Sequence, residues 1–176
     1  MTPDDFENRL LAVDWERYEE PGFGSIAQTI LGLHRAKPNN LELWCDQLEN
    51  QLLPQAALGK GSPIAIPFLR ELLERRVASE CIYQTLSYIT ICTEDDHLTD
   101  DLCRQCRHEV RTGLDLYLRD AADSSLSAEH RRAAIDLVCR LTEDRPKWES
   151  TLRSLCNTEP SAALRTTILD CLDPSP

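Results

Sequence analysis

Apolar residues recur at intervals of three and four along most of the chain, and clusters of Pro, Gly, Asn or Asp interrupt this pattern. The uninterrupted segments are roughly 12 to 20 residues long, which is typical of consecutive amphipathic α-helices. No segment alternates apolar and polar residues as a half-buried strand does. The pattern therefore predicts an all-α protein.

Capping residues and prolines mark the ends of the predicted helices in the first half of the chain. Asn39-Asn40 can cap a helix whose apolar stripe ends near Pro54. Ser62-Pro63 can open the next helix, because proline is favoured at the first helical position. Pro67 follows closely and lacks a backbone N–H, so we expect this helix either to start late or to be kinked.

The second half of the chain predicts four more helical segments. A capping box over residues 93–96 introduces one long helix, which runs from about Leu98 to Leu118. Ser127 is the predicted N-cap of the next helix, and a third helix has Pro146 near its start. The last helix is expected to begin near residues 158–160.

A short sequence echo supports the stacking of helix pairs. Residues 132–135 (RAAI) recur 33 residues later as residues 165–168 (RTTI), a separation that matches one helix–turn–helix repeat. Helix pairs that cannot bury an apolar face alone must stack on their neighbours. We therefore predict a single domain, residues 1–176, built as an α-solenoid of antiparallel helix pairs, with an irregular helical bundle as the alternative.

The segment over residues 55–73 resembles part of the bacterial HEAT-like repeat proteins. It has QAALG at residues 55–59 and PIAIPFLRELL at residues 63–73, where that family has a His-Gln-Gly turn before an Ala-Val-Pro-Phe-Leu helix start. Residues 15–31, with Gly22 and Gly24, are similar to the family's lead-in, while Pro54 and Ala56 replace the His and the Gly of the turn. The resemblance implies a HEAT-like α-superhelical scaffold, and some family members are immunity proteins that neutralise bacterial toxins.

The chain is strongly acidic, with 19 Lys and Arg against 30 Asp and Glu and a formal net charge of −11. This charge repels a phosphate backbone, so nucleic acid is not an expected partner. Opposite potentials steer association, and the expected partner is therefore a basic protein. The competing interpretation is that the acidity serves solubility alone.

The N-terminal residues and the cysteines bear on the compartment. Residues 1–5 carry no basic segment followed by an apolar one, so no secretory signal is expected. No run approaches the roughly 18 apolar residues of a membrane span, so no membrane association is expected and the predicted location is cytoplasmic. In a reducing cytoplasm the eight cysteines are expected to be small buried apolar side chains. They are Cys45, Cys81, Cys92, Cys103, Cys106, Cys139, Cys156 and Cys171.

Candidate chemistry is sparse in this sequence. Cys103 and Cys106 have a CxxC spacing with His97 and His108 nearby, but zinc needs four ligands, and on a helix His108 points away from Cys103. No histidine lies in a HExxH motif and no Gly-x-Ser-x-Gly motif is present. Residues 59–62 (GKGS) lack the upstream glycine of a phosphate-binding loop and are interpreted as a connector. We therefore predict no catalytic residue, no metal site and no cofactor, and we interpret the protein as non-enzymatic.

Aromatic and acidic residues outside the apolar stripes are the candidate contacts with a partner. Trp15 and Tyr18 lie in a charged segment and are expected to be partly exposed, whereas Trp44 and Trp148 are expected in the core. The carboxylates between residues 94 and 101 are a second candidate, although they also complement a helix N-terminus. The candidate partner-binding residues are Asp14, Trp15, Tyr18, Glu19, Glu20, Gln55, Asp95, Asp96, Asp100 and Asp101.

These observations rank a non-enzymatic protein-binding module first, with an immunity protein that neutralises a toxin by direct binding as its specific form. An α-solenoid enzyme and a regulatory adaptor or scaffold subunit are the alternatives, and the oligomeric state is left open. An anionic ligand would be favoured if a set of arginines gathered on one concave surface. The set is Arg70, Arg75, Arg76, Arg131 and Arg132.

Overall fold

The computed structural model of the chain describes residues 3–19, 22–93 and 101–173. Within these ranges the chain forms ten α-helices and short 3₁₀ turns without any β-strand, which confirms the all-α prediction. The helices are α1 (Pro3–Leu11), α2 (Ile26–His34), α3 (Leu41–Leu52), α4 (Ser62–Glu74), α5 (Ser79–Cys92), α6 (Asp101–Arg111), α7 (Leu114–Ala122), α8 (Ala128–Arg140), α9 (Arg145–Thr158) and α10 (Ala162–Leu172). In the described ranges no helix is long and apolar enough to cross a membrane.

The chain divides into two compact units, Met1–Glu109 (unit 1) and Val110–Pro176 (unit 2). In unit 1, α2 packs on α3 and α4 packs on α5. The first helices of these two pairs, α2 and α4, are in contact, and so are the second helices, α3 and α5. Helix α1 packs on α2.

Unit 2 repeats the same set of contacts within itself. Helix α7 packs on α8 and α9 packs on α10, while α7 contacts α9 and α8 contacts α10. The sequence echo falls on α8 and α10, the second helices of the two pairs, and its isoleucines Ile135 and Ile168 are both fully buried. The echo therefore marks equivalent helices of successive pairs.

Every helix from α1 to α5 supplies a fully buried apolar side chain to the core of unit 1. These include Phe6, Ile30, Leu48, Leu69 and Leu86, one from each helix in order. Burying each such side chain contributes roughly 1.5–3 kcal/mol. The apolar stripes at three- and four-residue spacing are thus the buried faces of the helices.

Side-chain caps agree with the sequence in some places and not in others. Ser127 caps α8 as predicted, because its Oγ accepts a hydrogen bond from the His130 N–H at 3.0 Å. Asn40 precedes α3, but its Oδ1 accepts a bond from the Lys37 N–H at 2.8 Å and makes no cap bond to the helix. Ser62 lies inside α4, where its Oγ donates to the Leu52 carbonyl at 2.7 Å and ties α4 to the end of α3.

The structure places some helix boundaries where they were predicted and others elsewhere. Helix α4 begins at Ser62, in agreement with the predicted Ser62-Pro63 start, and it continues through Pro67, so the alternative of a late start does not occur. The long helix predicted as far as Leu118 is broken at Gly113, between α6 and α7, and the capping box at residues 93–96 extends beyond the described residues. Helix α10 begins at Ala162, later than predicted, because α9 occupies the chain as far as Thr158.

The cysteines correct the expectation that all eight are reduced apolar side chains. Disulfides join Cys45 on α3 to Cys81 on α5, and Cys139 on α8 to Cys171 on α10. Their Cα–Cα distances of 5.8 and 5.5 Å lie in the ordinary range for a disulfide. Each bond joins the second helices of two pairs in one unit, and the cysteines are 36 and 32 residues apart in sequence. Cys103 is buried, as the sequence predicted.

Candidate protein-binding surface

Trp15 is buried, which contradicts the prediction that it is partly exposed. Only 5% of its surface is accessible, and its Nε1–H donates a hydrogen bond to the Leu10 carbonyl at 2.8 Å. Its ring lies 6.1 Å from that of Phe68 on α4. The burial of Trp15 could not be seen from its charged neighbours in sequence, because Trp15 packs against helices from other parts of the chain.

The rest of the segment around Trp15 is divided between structural and exposed residues. Glu19 is structural, because its Oε1 accepts a hydrogen bond from the Ile26 N–H at 2.9 Å, at the start of α2. Tyr18 is half-buried, and Asp14 is exposed and pairs with Arg17 at 3.4 Å. Glu20 lies outside the described residues. The segment therefore does not form one exposed contact surface.

The remaining predicted contacts are Gln55 and the acidic residues before and at the start of α6. Gln55 is exposed and holds a left-handed backbone conformation, with φ of 55°, between α3 and α4. Asp101 is exposed at the start of α6 and pairs with Arg104. The other three acidic residues predicted there lie outside the described residues; they are Asp95, Asp96 and Asp100.

The connector at residues 59–62 joins two helices, as predicted. The Gly59 N–H donates a hydrogen bond to the Leu52 carbonyl at 2.8 Å. A Cβ on Gly59 would approach the Gln51 carbonyl oxygen to 2.7 Å, a distance that side chains do not tolerate. The glycine therefore serves a close approach of backbone segments, which is a structural role.

Helix α3 carries an acidic stripe that the sequence analysis did not select. Glu42, Asp46 and Glu49 are spaced by four and three residues, and all three are exposed. This spacing places them on one side of the helix. No ion pair or hydrogen bond holds their carboxylates in the described part of the chain. Helix α3 contains no Lys, Arg or His.

Helix α5 carries a second exposed stripe that combines acidic, polar and apolar residues. Its members are Glu80, Gln84, Tyr88 and Ile91, spaced by four, four and three residues. Tyr88 is 38% exposed and Ile91 is 40% exposed, although both are large apolar side chains. The Gln84 Nε2–H donates to the Tyr88 hydroxyl at 3.0 Å. Helix α5 also contains no Lys, Arg or His.

The Cys45–Cys81 disulfide joins the two helices that carry these stripes. On α3, Cys45 is three residues after Glu42 and four before Glu49. On α5, Cys81 is three residues before Gln84 and seven before Tyr88. Residues at these spacings are neighbours on a helix surface, so the bond brings the two stripes together. We call the combined surface the α3–α5 face; it consists of Glu42, Asp46, Glu49, Glu80, Gln84, Tyr88 and Ile91.

The α3–α5 face is strongly negative and has a partly apolar end. Neither of its helices carries a basic residue, and the nearest preceding basic residues in sequence, Lys37 and Arg76, lie in the connections before α3 and α5. The carboxylates of the α3 stripe, being uncompensated in water, attract cations and basic side chains over about one Debye length. An exposed Tyr beside an Ile is the type of side-chain pair that anchors protein interfaces.

A cleft of about 370 Å³ lies elsewhere in unit 1. Its charged residues are matched internally, because Arg104 pairs with Asp101 and Glu109 pairs with Arg70 at 3.2 Å. The cleft is lined by Pro63, Ile64, Asp101, Arg104, Gln105, His108 and Glu109. It contains no nucleophile paired with a base, which is what covalent catalysis needs.

Cys106, in the CxxC segment, is a buried thiol with a raised pKa. Cys106 is fully buried, and burial together with the neighbouring Cys103, Cys92 and Glu109 raises its pKa to about 12. A thiol with this pKa is protonated at neutral pH, and the thiolate is the form that attacks or binds metal. Among the described residues, no group of three or more His, Cys, Asp or Glu could hold a metal ion.

Two of the arginines that could mark an anionic ligand, Arg75 and Arg131, have internal partners. Arg131 is only 6% exposed, where it donates to the Ala121 carbonyl at 3.0 Å and pairs with Glu159. Arg75 pairs with Glu71 at 2.5 Å and lies 4.9 Å from the centre of the Phe6 ring. Internal partners therefore account for these two members of the set.

Comparisons of the chain with protein-family models, with curated proteins and with solved structures find no match.

Proposed function

We propose that this protein is a non-enzymatic binding module that holds a basic segment of another protein on its α3–α5 face. The observation that carries the proposal is the stripe of exposed carboxylates at Glu42, Asp46 and Glu49, which have no partner in the described part of the chain and lie beside exposed Tyr88. Carboxylates that only serve solubility are usually interspersed with basic residues. The helices that carry this face have none.

The complementary partner carries lysines or arginines around an apolar side chain. Its positive charges are steered toward α3, which raises the association rate and makes that rate sensitive to salt. Its apolar side chain packs against Tyr88 and Ile91, and truncating a central aromatic anchor of this kind to alanine typically costs about 2 kcal/mol or more. The charges thus set encounter and orientation, and the apolar contact sets the lifetime of the complex.

The specific form that we propose is an immunity protein, which neutralises a toxin by covering a basic surface of that toxin. The support for this form is the resemblance of residues 55–73 to bacterial HEAT-like repeat proteins. Contacts of first helix with first helix and second with second within each unit also agree with a HEAT-like α-solenoid. A regulatory adaptor would use the same face, and it differs only in what the captured protein does.

The experiment that tests this proposal compares two variants with the same change in net charge. The face variant is Glu42→Lys/Asp46→Lys/Glu49→Lys, and the control variant reverses three exposed carboxylates of unit 2. The control positions are Asp115, Glu129 and Asp170. Each protein is used to capture partners from native lysate, and the captured protein is then purified and titrated.

We expect to capture a partner with a basic segment that binds both the wild type and the control variant. The face variant is expected to bind it at least roughly tenfold more weakly, since repulsion replaces attraction at three positions. If both variants lose affinity equally, the effect is one of overall charge, and the α3–α5 face is not the binding site.

A further inference from the structure

We infer that the α3–α5 face is controlled by oxidation state, with the Cys45–Cys81 disulfide as the switch. The disulfide joins the two helices of this face, with a Cα–Cα distance of 5.8 Å. The binding consequence rests on the proposed function, whereas the change in α3 can be measured without any partner. Both cysteines are half-buried and neither lies in the fully buried core.

Helix α3 depends on this bond because its packing is uneven. All of its buried residues lie in its last five positions; they are Leu48, Gln51 and Leu52. In its first half, Leu41, Trp44 and Cys45 are only half-buried. The half of α3 that carries Glu42 and Asp46 is therefore anchored mainly by Trp44, which packs against Gly32 of α2, and by the disulfide.

Helix α5 is packed evenly along its length, so it is expected to stay in place when the disulfide is reduced. Its buried apolar residues Ile82, Tyr83, Leu86 and Ile89 are distributed along the helix, and each is fully buried. Loss of the disulfide therefore leaves α5 in place and releases the first half of α3. Segments with few buried apolar contacts open at low free-energy cost.

The switching reaction is thiol–disulfide exchange with a dithiol. One thiolate of the dithiol attacks one sulfur of the Cys45–Cys81 bond, and the second thiolate then resolves the mixed disulfide. The products are two protein thiols and the cyclic disulfide of the reductant, so two electrons and two protons pass from the dithiol to the protein. An oxidising compartment keeps the bond closed, because disulfides persist there.

The second disulfide supplies a matched control. Cys139–Cys171 joins the second helices of unit 2, with its cysteines 32 residues apart, against 36 for Cys45–Cys81. Its helix α10 is anchored along its whole length by Leu164, Ile168 and Leu172, which are almost fully buried. Reduction of this bond is expected to change local opening less than reduction of Cys45–Cys81.

The test is hydrogen–deuterium exchange of the full chain, before and after treatment with dithiothreitol. Peptides from the first half of α3 are expected to exchange roughly tenfold faster after reduction. Cys45→Ser/Cys81→Ser is expected to show the fast exchange from the start and no response to dithiothreitol in α3. Cys139→Ser/Cys171→Ser is expected to keep the response. Unchanged exchange of α3 on reduction would overturn the inference, as would free thiols at both Cys45 and Cys81 in air-oxidised protein.

A binding arm separates this inference from the proposed function. The probe is a synthetic peptide of lysines around a central leucine, titrated against oxidised and reduced protein. Roughly fivefold weaker binding to reduced protein supports the switch. The switch is overturned if oxidised and reduced protein bind the peptide with equal affinity. If Glu42→Lys/Asp46→Lys/Glu49→Lys also binds the peptide more weakly than the wild type, the proposed function still stands. If the charge-reversal variant binds the peptide as tightly as the wild type, the proposed function is overturned. The hydrogen–deuterium exchange of α3 then still decides whether the switch exists.

Discussion

Arg131 and Glu159 form a buried ion pair in unit 2, with only 7% and 2% of their side-chain surfaces exposed. Arg131 comes from α8, and Glu159 lies in the connection between α9 and α10. The same carboxylate accepts a hydrogen bond from the Ser161 N–H at 3.0 Å, beside the start of α10. The pair therefore fixes the entry of α10 against α8.

The first prediction follows from this pair. Glu159→Gln keeps the size of the side chain but leaves the Arg131 charge buried without its counter-charge. Removing one partner of a buried pair typically costs about 3–5 kcal/mol of unfolding free energy, and urea denaturation measures the change. Glu129 is exposed in the first turn of α8, and the control Glu129→Gln is expected to change stability by less than about 1 kcal/mol. If Glu159→Gln loses as little unfolding free energy as Glu129→Gln, the Arg131–Glu159 pair adds nothing to stability.

The second prediction concerns acid stability and Asp144. The neighbouring Arg111, at 2.5 Å, and Lys147, at 2.8 Å, hold the pKa of Asp144 at about 2. Because this folded-state pKa lies below the ordinary value of 3.8, the contribution is fully present above about pH 4 and is lost as the pH falls through 2. It amounts to about 2 kcal/mol.

Asp144→Asn is expected to remove this acid-sensitive part of the stability of unit 2. Denaturation curves at pH 6, 4, 3 and 2 measure it, with the exposed Asp115→Asn as the control. The difference in unfolding free energy between wild type and Asp144→Asn is expected to shrink between pH 4 and 2. A difference that stays constant over this range would assign the effect of the substitution to packing.

The third prediction reverses the usual effect of a glycine substitution. Replacing Gly by Ala within a helix normally stabilises it by roughly 0.8–1 kcal/mol. Gly32 lies in α2, and a Cβ there would collide with the Trp44 indole on α3. Gly32→Ala is therefore expected to destabilise unit 1. In a Trp44→Ala background, the same substitution is expected to stabilise it.

A double-mutant cycle by thermal denaturation measures this coupling between Gly32 and Trp44. The expected interaction energy is at least roughly 1 kcal/mol, as for residues in direct contact. Additive effects of the two substitutions would contradict the close packing of α2 on α3.

The fourth prediction concerns the disulfides. Peptide mapping without reductant is expected to recover Cys45 linked to Cys81 and Cys139 linked to Cys171. Removing one bond with paired serines is expected to cost about 2–4 kcal/mol of unfolding free energy. Peptides that join other cysteines would contradict the packing of α3 on α5 and of α8 on α10.

The sequence could predict what depends on local pattern. The apolar stripe of α3 and the Ser127 cap of α8 follow from residues within one or two helical turns. The burial of Trp15 could not be predicted, because it depends on Phe68, which is 53 residues away in sequence. The disulfides could not be predicted for the same reason, since cysteines 32 and 36 residues apart meet only when the second helices of two pairs pack together.

The candidate surface was only partly visible in the sequence. The sequence predicted acidic contacts at residues 94–101, where carboxylates are dense. The stripe at Glu42, Asp46 and Glu49 has a lower density but a regular spacing on one helix side. Whether a carboxylate already has an internal partner is a property of the folded chain. Glu19 and Glu159, for example, are committed to backbone and ion-pair contacts.

Hydrogen–deuterium exchange of the complex with a captured partner tests the central claim most directly. Oxidised protein, alone and saturated with the partner, is digested and compared peptide by peptide. We predict slower exchange on binding in α3 (Leu41–Leu52) and α5 (Ser79–Cys92), with α8 and α10 unchanged as an internal control. Slower exchange confined to unit 2, with α3 and α5 unaffected, would contradict binding at the α3–α5 face.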